Sequence, residues 1–173
     1  MEFLERYHGR AAKNVRLIKQ DFTDDGKVIK YFENDKKEII FPSGVKKETF
    51  PDSYQITYFN NKDIKQIYPD GKEVYLFSEN QTVQFKFSDG LQVFKFQDGQ
   101  IEKNFPDGIK NIIYKDGTVK YIYPDQSDET IFPDGTLQKT DINGVITIDY
   151  VDQIRVFFII KMIIFMINIL CII

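Results

Sequence analysis

The chain has a single cysteine, Cys171, and a single histidine, His8. A lone cysteine excludes an internal disulfide framework and any multi-cysteine metal site. One histidine leaves little material for imidazole catalysis or zinc binding. Proline (6) and glycine (10) are too scarce for a collagen-like or disordered chain. A basic excess is also missing: the formal net charge is −3, which offers nothing to a phosphate backbone, so no nucleic-acid partner is expected. Met1 to Gln20 lacks the basic-then-apolar order of a secretory signal. There is no phosphate-binding glycine loop and no nucleophile motif, and no carboxylate pair stands out as an acid/base couple. No enzyme activity, cofactor or metal is expected. What the chain does have is aromatic weight, 16 Phe and 10 Tyr among its 173 residues. By composition it is an intracellular binding or structural module.

Those aromatics are periodic. The unit is plain in Phe105-Pro106-Asp107-Gly108 and in Phe132-Pro133-Asp134-Gly135. With the glycine as marker, it recurs at Asp35, Gly44, Ser53, Lys62, Gly71 and Asn80. It continues at Gly90, Gly99, Gly108, Gly117, Gln126, Gly135, Gly144 and Gln153. Each step is nine residues except the ten from Asn80 to Gly90. An aromatic stands three residues before every marker but one, where Asp141 takes its place. All 6 prolines directly follow that aromatic, and every glycine but Gly9 falls on a marker or on its early equivalent, Gly26. A repeat this short, this regular and this long specifies a repetitive fold.

The repeat reads as a string of hairpins. Proline presets φ for the second residue of a type I turn, aspartate tolerates the third, and glycine takes the left-handed position that closes a bulge. Gly71, Gly90, Gly99, Gly108, Gly117 and Gly135 are therefore assigned as turn-structural residues. A three-residue loop leaves about six residues per strand, rich in β-branched and aromatic types as in Thr118-Val-Lys-Tyr-Ile-Tyr123. Loops this short allow only antiparallel neighbours. The expected fold is all-β: a single-layer, free-standing antiparallel meander of about 14–15 short strands. A second layer is not expected, because both faces are mixed. Ile101, Lys103 and Phe105 fall on one side of their strand, and Gln100, Glu102 and Asn104 on the other. A propeller or a β-solenoid is the competing architecture. The Asp-Gly units lack the several glycines per repeat of a calcium-binding nonapeptide roll.

From Ile40 to Ile154 this pattern resembles the C-terminal domain of T-complex protein 10 and of the centriole-assembly protein CPAP, often called the G-box. The likeness is carried by Phe59-Asn-Asn-Lys-Asp-Ile-Lys-Gln-Ile-Tyr-Pro-Asp70, by Gly90-Leu-Gln-Val-Phe94 and by Gly99-Gln-Ile-Glu-Lys-Asn-Phe-Pro-Asp-Gly108. The resemblance implies a free-standing sheet that binds a proline-rich segment of a STIL-like centriole-duplication protein. It thereby implies a scaffold role at the centriole, centrosome or ciliary basal body. By motif, it also places three peptide-contact residues: Phe59, Tyr75 and Glu102. Aromatic faces suit a polyproline-II ligand, and a carboxylate can fix its register. With three-residue loops, strand parity puts Phe59 and Tyr75 on one face. The extra residue between Asn80 and Gly90, read as a bulge, brings Glu102 to that face as well.

The ends differ from the repeats. Residues 1–20 read as an N-terminal extension, a short helix or disordered, preceding a repeat domain over 21–155. CPAP-like relatives carry tubulin-binding and coiled-coil segments before this domain, and nothing here matches them. Residues 156–173 are apolar except for Lys161 and Asn168. That length just suffices for a membrane span, which would make the module a membrane-tethered adaptor. The same run, rich in residues of AT-rich codons, reads rather as translated intron or read-through sequence, and a structural strand or helix is the third alternative. Self-association through open edge strands is a further expectation of an unroofed sheet.

Overall fold

A computed structural model describes residues 15–152 and 154–159, without the side chains of 158 and 159. The extension before residue 15 and the tail beyond 159 lie outside the described residues. Two compact units form, Met1–Glu79 and Asn80–Ile173. The first holds β1 (Leu17–Phe22), β2 (Val28–Phe32), β3 (Lys37–Ile40), β4 (Lys46–Thr49), β5 (Gln55–Tyr58), β6 (Ile64–Ile67) and β7 (Glu73–Phe77). The second holds β8 (Thr82–Lys86), β9 (Gln92–Lys95), β10 (Ile101–Asn104), β11 (Lys110–Ile113) and β12 (Val119–Ile122). It continues with β13 (Asp128–Ile131), β14 (Leu137–Thr140), β15 (Val145–Asp149) and β16 (Arg155–Ile159). Within each unit every strand pairs antiparallel with the next in sequence, so the fold is an all-β, single-layer meander.

Two boundaries differ from the sequence expectation. β1 starts at Leu17, inside the segment assigned to the extension, because Lys19 to Phe22 pair with Tyr31 to Val28. β16 runs past residue 155 because Arg155 and Val156 continue the register on Asp149 and Ile148. These added strands make sixteen rather than 14–15.

The turns explain the rhythm. At Phe105 the carbonyl accepts the Gly108 N–H at 3.0 Å, and the Phe105 N–H donates to the Ile109 carbonyl at 2.9 Å. Pro106, Asp107 and Gly108 are thus the whole loop. The Asp107 carboxylate accepts the Ile109 N–H at 3.0 Å, which locks the turn from inside. Gly108 sits at φ 87°, and the non-glycine markers Asp35, Ser53, Lys62 and Gln126 accept the same left-handed strain at 61°, 67°, 67° and 74°. One marker moves. Gln81, at φ 54°, is the left-handed residue rather than Asn80. The extra residue therefore precedes Gln81, in the loop after β7, and the step from Gln81 to Gly90 is an ordinary nine.

Turns also pack on turns. A Cβ added to Gly90 would lie 3.1 Å from Pro106 Cγ, and one on Gly108 would lie 3.2 Å from Pro124 Cγ. Each of these prolines belongs to the next turn but one, on the same edge of the meander. Glycine is needed there twice over, for its φ and for its missing side chain.

Burial comes from same-face neighbours. Ile56 (0% exposed), Gln66 and Val74 sit opposite one another across β5, β6 and β7. The Tyr68 hydroxyl reaches Gln66 Oε1 at 3.0 Å, and the Tyr68 ring lies 5.1 Å from that of Tyr54. Glu38 faces Glu48 directly, and the lysines alongside relieve that clash: Lys30 to Glu38 at 3.4 Å, Lys46 to Glu48 at 2.9 Å. The recurring aromatics stay half-buried or exposed, Tyr114 and Phe132 at 36% each. They do not seal a core.

Two tests follow from the turns. Gly90→Ala should cost about 2 kcal/mol in urea unfolding, and Gly144→Ala, at φ 80° with open space around it, about 1 kcal/mol. Equal losses would mean that the packed proline contributes nothing. The second test is acid. Backbone N–H groups of Thr118, Thr136 and Val145 hold the carboxyls of Asp116, Asp134 and Asp141 below the ordinary 3.8, and the Ser127 hydroxyl and N–H do so for Asp125. Folded values below unfolded ones stabilise the turns fully above 3.8, and that stability fades as pH falls through the folded values. The thermal midpoint should hold from pH 7 to 5 and drop below about 4. Replacing these four residues by Asn should blunt the drop, and an undiminished drop refutes the assignment.

Candidate functional site

In the first unit, β5 leads into the Phe59 turn and β6 pairs with β7. The register Thr57–Lys65–Tyr75 places these three on one face. Phe59 continues the alternation of Thr57, and its ring centroid lies 5.8 Å from that of Tyr75. The sharing of a face expected from strand parity is therefore met for Phe59 and Tyr75. Phe77, two residues beyond Tyr75, adds a third ring at 4.5 Å. Lys65 beside Tyr75 is paired with Glu73 at 3.1 Å. The result is a tilted aromatic platform with a neutralised ion pair at its side.

Sequence reasoning passed over the residue that holds this platform. Asp63 is 7% exposed and accepts the Tyr75 hydroxyl at 2.9 Å, the Ser78 N–H at 2.7 Å and the Asn61 amide at 2.9 Å. Burial opposes its charge, but the Ser78 N–H, the Tyr75 hydroxyl and the Asn61 amide outweigh that and hold the carboxyl below the ordinary value. Burial, and then the bond to Asp63, raise the Tyr75 hydroxyl above its ordinary value. A signal was available. The residue after each marker is Lys, Val, Tyr, Leu, Gln, Ile, Ser or Thr elsewhere, and Asp63 alone is acidic there.

Glu102 belongs to the second unit. It lies on β10 directly opposite Phe94 and Ile112, and its carboxylate pairs with Lys110 at 3.0 Å. The Phe94 and Phe96 rings stack at 6.4 Å. The Glu102 side chain keeps 19% of its surface open, against 42% for Lys110. A ligand reaching this carboxylate must compete with a half-buried lysine. Such a pair is weak and exchangeable. Among the described residues no group of three His, Cys, Asp or Glu could hold a metal, and no helix is long and apolar enough to cross a membrane.

Residues 88–122, which include Glu102, match the family described as T-complex protein 10 C-terminus. The mouse Centrosomal P4.1-associated protein is 41% identical over 100 residues, 57% of this chain and 7% of that protein. The human protein of the same name is 42% identical over 81 residues, 46% of this chain and 6% of its own length. The chain thus spans less than a tenth of these relatives. Among solved structures, the TCP10 domain of Danio rerio CPAP, in complex with a peptide of Danio rerio STIL, superposes with a TM-score of 0.74 at 33% identity. That match covers 77% of this chain and 74% of the other. The Drosophila melanogaster SAS-4 TCP domain, solved with a proline-rich motif of Ana2, gives 0.71 at 24% identity and covers 82% and 96%. At that identity it attests the fold.

Asp63→Ala should leave the Ser78 N–H and Tyr75 hydroxyl without their acceptor, at a cost of about 2 kcal/mol in chemical unfolding. Asp107→Ala, at an exposed turn, should cost clearly less. Equal costs would remove Asp63 from its central place.

Proposed function

Because this chain belongs to the T-complex protein 10 C-terminus family, we propose that it is a non-enzymatic scaffold module that captures a proline-rich segment of a STIL-like protein during centriole assembly. The observation that carries this reading is the Phe59–Tyr75–Phe77 platform on one face of the first unit. Polyproline-II segments have no internal hydrogen bonds and present pyrrolidine rings, so flat aromatic faces are their natural surface. The zebrafish relative, solved with its STIL peptide at 33% identity, supports the same use here.

In this reading Phe59 and Tyr75 stack on the ligand. Glu102 exchanges its ion pair with Lys110 for a hydrogen bond or a basic group of the peptide. The module works at centrioles and, by the same partner, at basal bodies. A tagged copy should sit there.

The direct test is calorimetric titration of a proline-rich peptide from a STIL-like protein into the purified chain. Phe59→Ala should weaken binding at least tenfold, about 1.4 kcal/mol or more. Glu102→Gln should weaken it several-fold and flatten its salt dependence. Unchanged affinity in both variants would overturn the assignment.

A further inference from the structure

We propose, resting on that reading, that the peptide group meeting the Tyr75 hydroxyl oxygen is a hydrogen-bond donor, a backbone N–H or a protonated side chain, and that Asp63 imposes this polarity as a positioning residue.

A phenol has one proton to give and lone pairs to receive with. The Tyr75 proton lies in the 2.9 Å bond to Asp63 Oδ2. An ionised carboxylate accepts only, so the arrangement cannot reverse while Asp63 stays charged. Its other partners, the Ser78 N–H on Oδ1 and the Asn61 amide on Oδ2, are donors too, and they hold that ionised form. Tyr75 therefore has no proton left for a ligand carbonyl. This matters because a proline-rich ligand is mostly carbonyls, and proline itself lacks an N–H. An ordinary tyrosine in such a platform would donate to one of those carbonyls. Here the ring still stacks, but its oxygen selects a residue that carries a donor.

Charge points the same way. All three partners of Asp63 are neutral, so its negative charge, 7% exposed, is not cancelled locally. The neighbouring Lys65 and Glu73 cancel each other. A carboxylate behind the phenol oxygen strengthens it as an acceptor, more so where water is thin. The favoured peptide residue is accordingly a non-proline residue with a free N–H, or a lysine or arginine, next to the stacked prolines.

The test uses the purified chain and a proline-rich peptide from a STIL-like protein. The peptide is taken as is, with single N-methylated non-proline residues, and with each lysine or arginine replaced by norleucine. Calorimetry should find one donor whose removal weakens binding to the wild type about tenfold and costs almost nothing against Tyr75→Phe. Asp63→Asn should weaken the unmodified peptide to a similar extent, since its amide donates to the hydroxyl and turns the Tyr75 proton outward. A merely structural role of Tyr75 would not single out one peptide donor. Should Asp63→Asn fold poorly, the Tyr75→Phe cycle alone decides. Two results would overturn the proposal: Tyr75→Phe binding the unmodified peptide as tightly as the wild type, or every donor deletion costing the same in both proteins. Phe59→Ala and Tyr75→Ala separate the levels. If they weaken binding while Tyr75→Phe does not, only the polarity falls. If neither matters, the platform itself is not the site.

Discussion

A left-handed residue at each turn from Gly26 to Gly144 is the constraint on which the structure rests. Except after β7, where the loop holds one more residue, it closes a loop of three, and the hydrogen bonds on either side of it fix where the next strand must begin. The strands it separates are four to six residues long. Hairpins that short are marginal alone and gain by addition, each ladder stabilising the one before it. The packing of Pro106 against Gly90 and of Pro124 against Gly108 makes the turns themselves a second, edge-wise line of contact. Local turn chemistry and long-range contact are therefore one interaction seen at two ranges.

The shortness of the strands has a price in burial. With no second layer among the described residues, a side chain is covered only by its neighbours on the same face. Ile56 and Val74 achieve it because Gln66 lies between them, tied to Tyr68. Paired charges do the same work, as the lysines around Glu38 and Glu48 show. Lysine stems over rings extend the cover: Lys72 Nζ stands 4.0 Å from the Tyr68 centroid and Lys36 Nζ 4.2 Å from that of Phe32. The half-open aromatics left by this arrangement form a surface on which a flat ligand can lie without any cavity.

Much of this was legible because turn chemistry is local. Glycine and its substitutes mark the left-handed positions in the sequence itself, and even Ser53, Lys62 and Gln126 fall where the rhythm puts them. Parity then carries Phe59 to the face of Tyr75 without knowledge of packing. What stayed hidden depends on partners remote in sequence. The shift from Asn80 to Gln81 could not be read because Asn80 has the usual turn side chain, accepting the Thr82 N–H at 3.1 Å, and looks like a marker. The full span of β1 rests on β2, since Lys19 and Gln20 alone carry no strand signal. Asp63 escaped notice because its meaning lies fifteen positions away, at the Ser78 N–H.

That one acidic residue accounts for the arrangement of the rings at this turn. In the Phe32 and Tyr68 turns, the residue after the marker is a lysine, and its ammonium lies over the ring of the same turn. The positive head suits the negative face of an aromatic ring and covers it. At the Phe59 turn the same position carries Asp63. A carboxylate is repelled by a ring face, so it turns instead to donors, the Tyr75 hydroxyl and the Ser78 N–H. An acid at this position of the repeat thus does two things together. It withholds the cover that lysine gives the rings of Phe32 and Tyr68, and it holds the Tyr75 hydroxyl, whose ring lies tilted 5.8 Å from that of Phe59. An aromatic cluster is organised here by the one acidic residue at that position of the repeat, where the turn and the neighbouring strands must both agree.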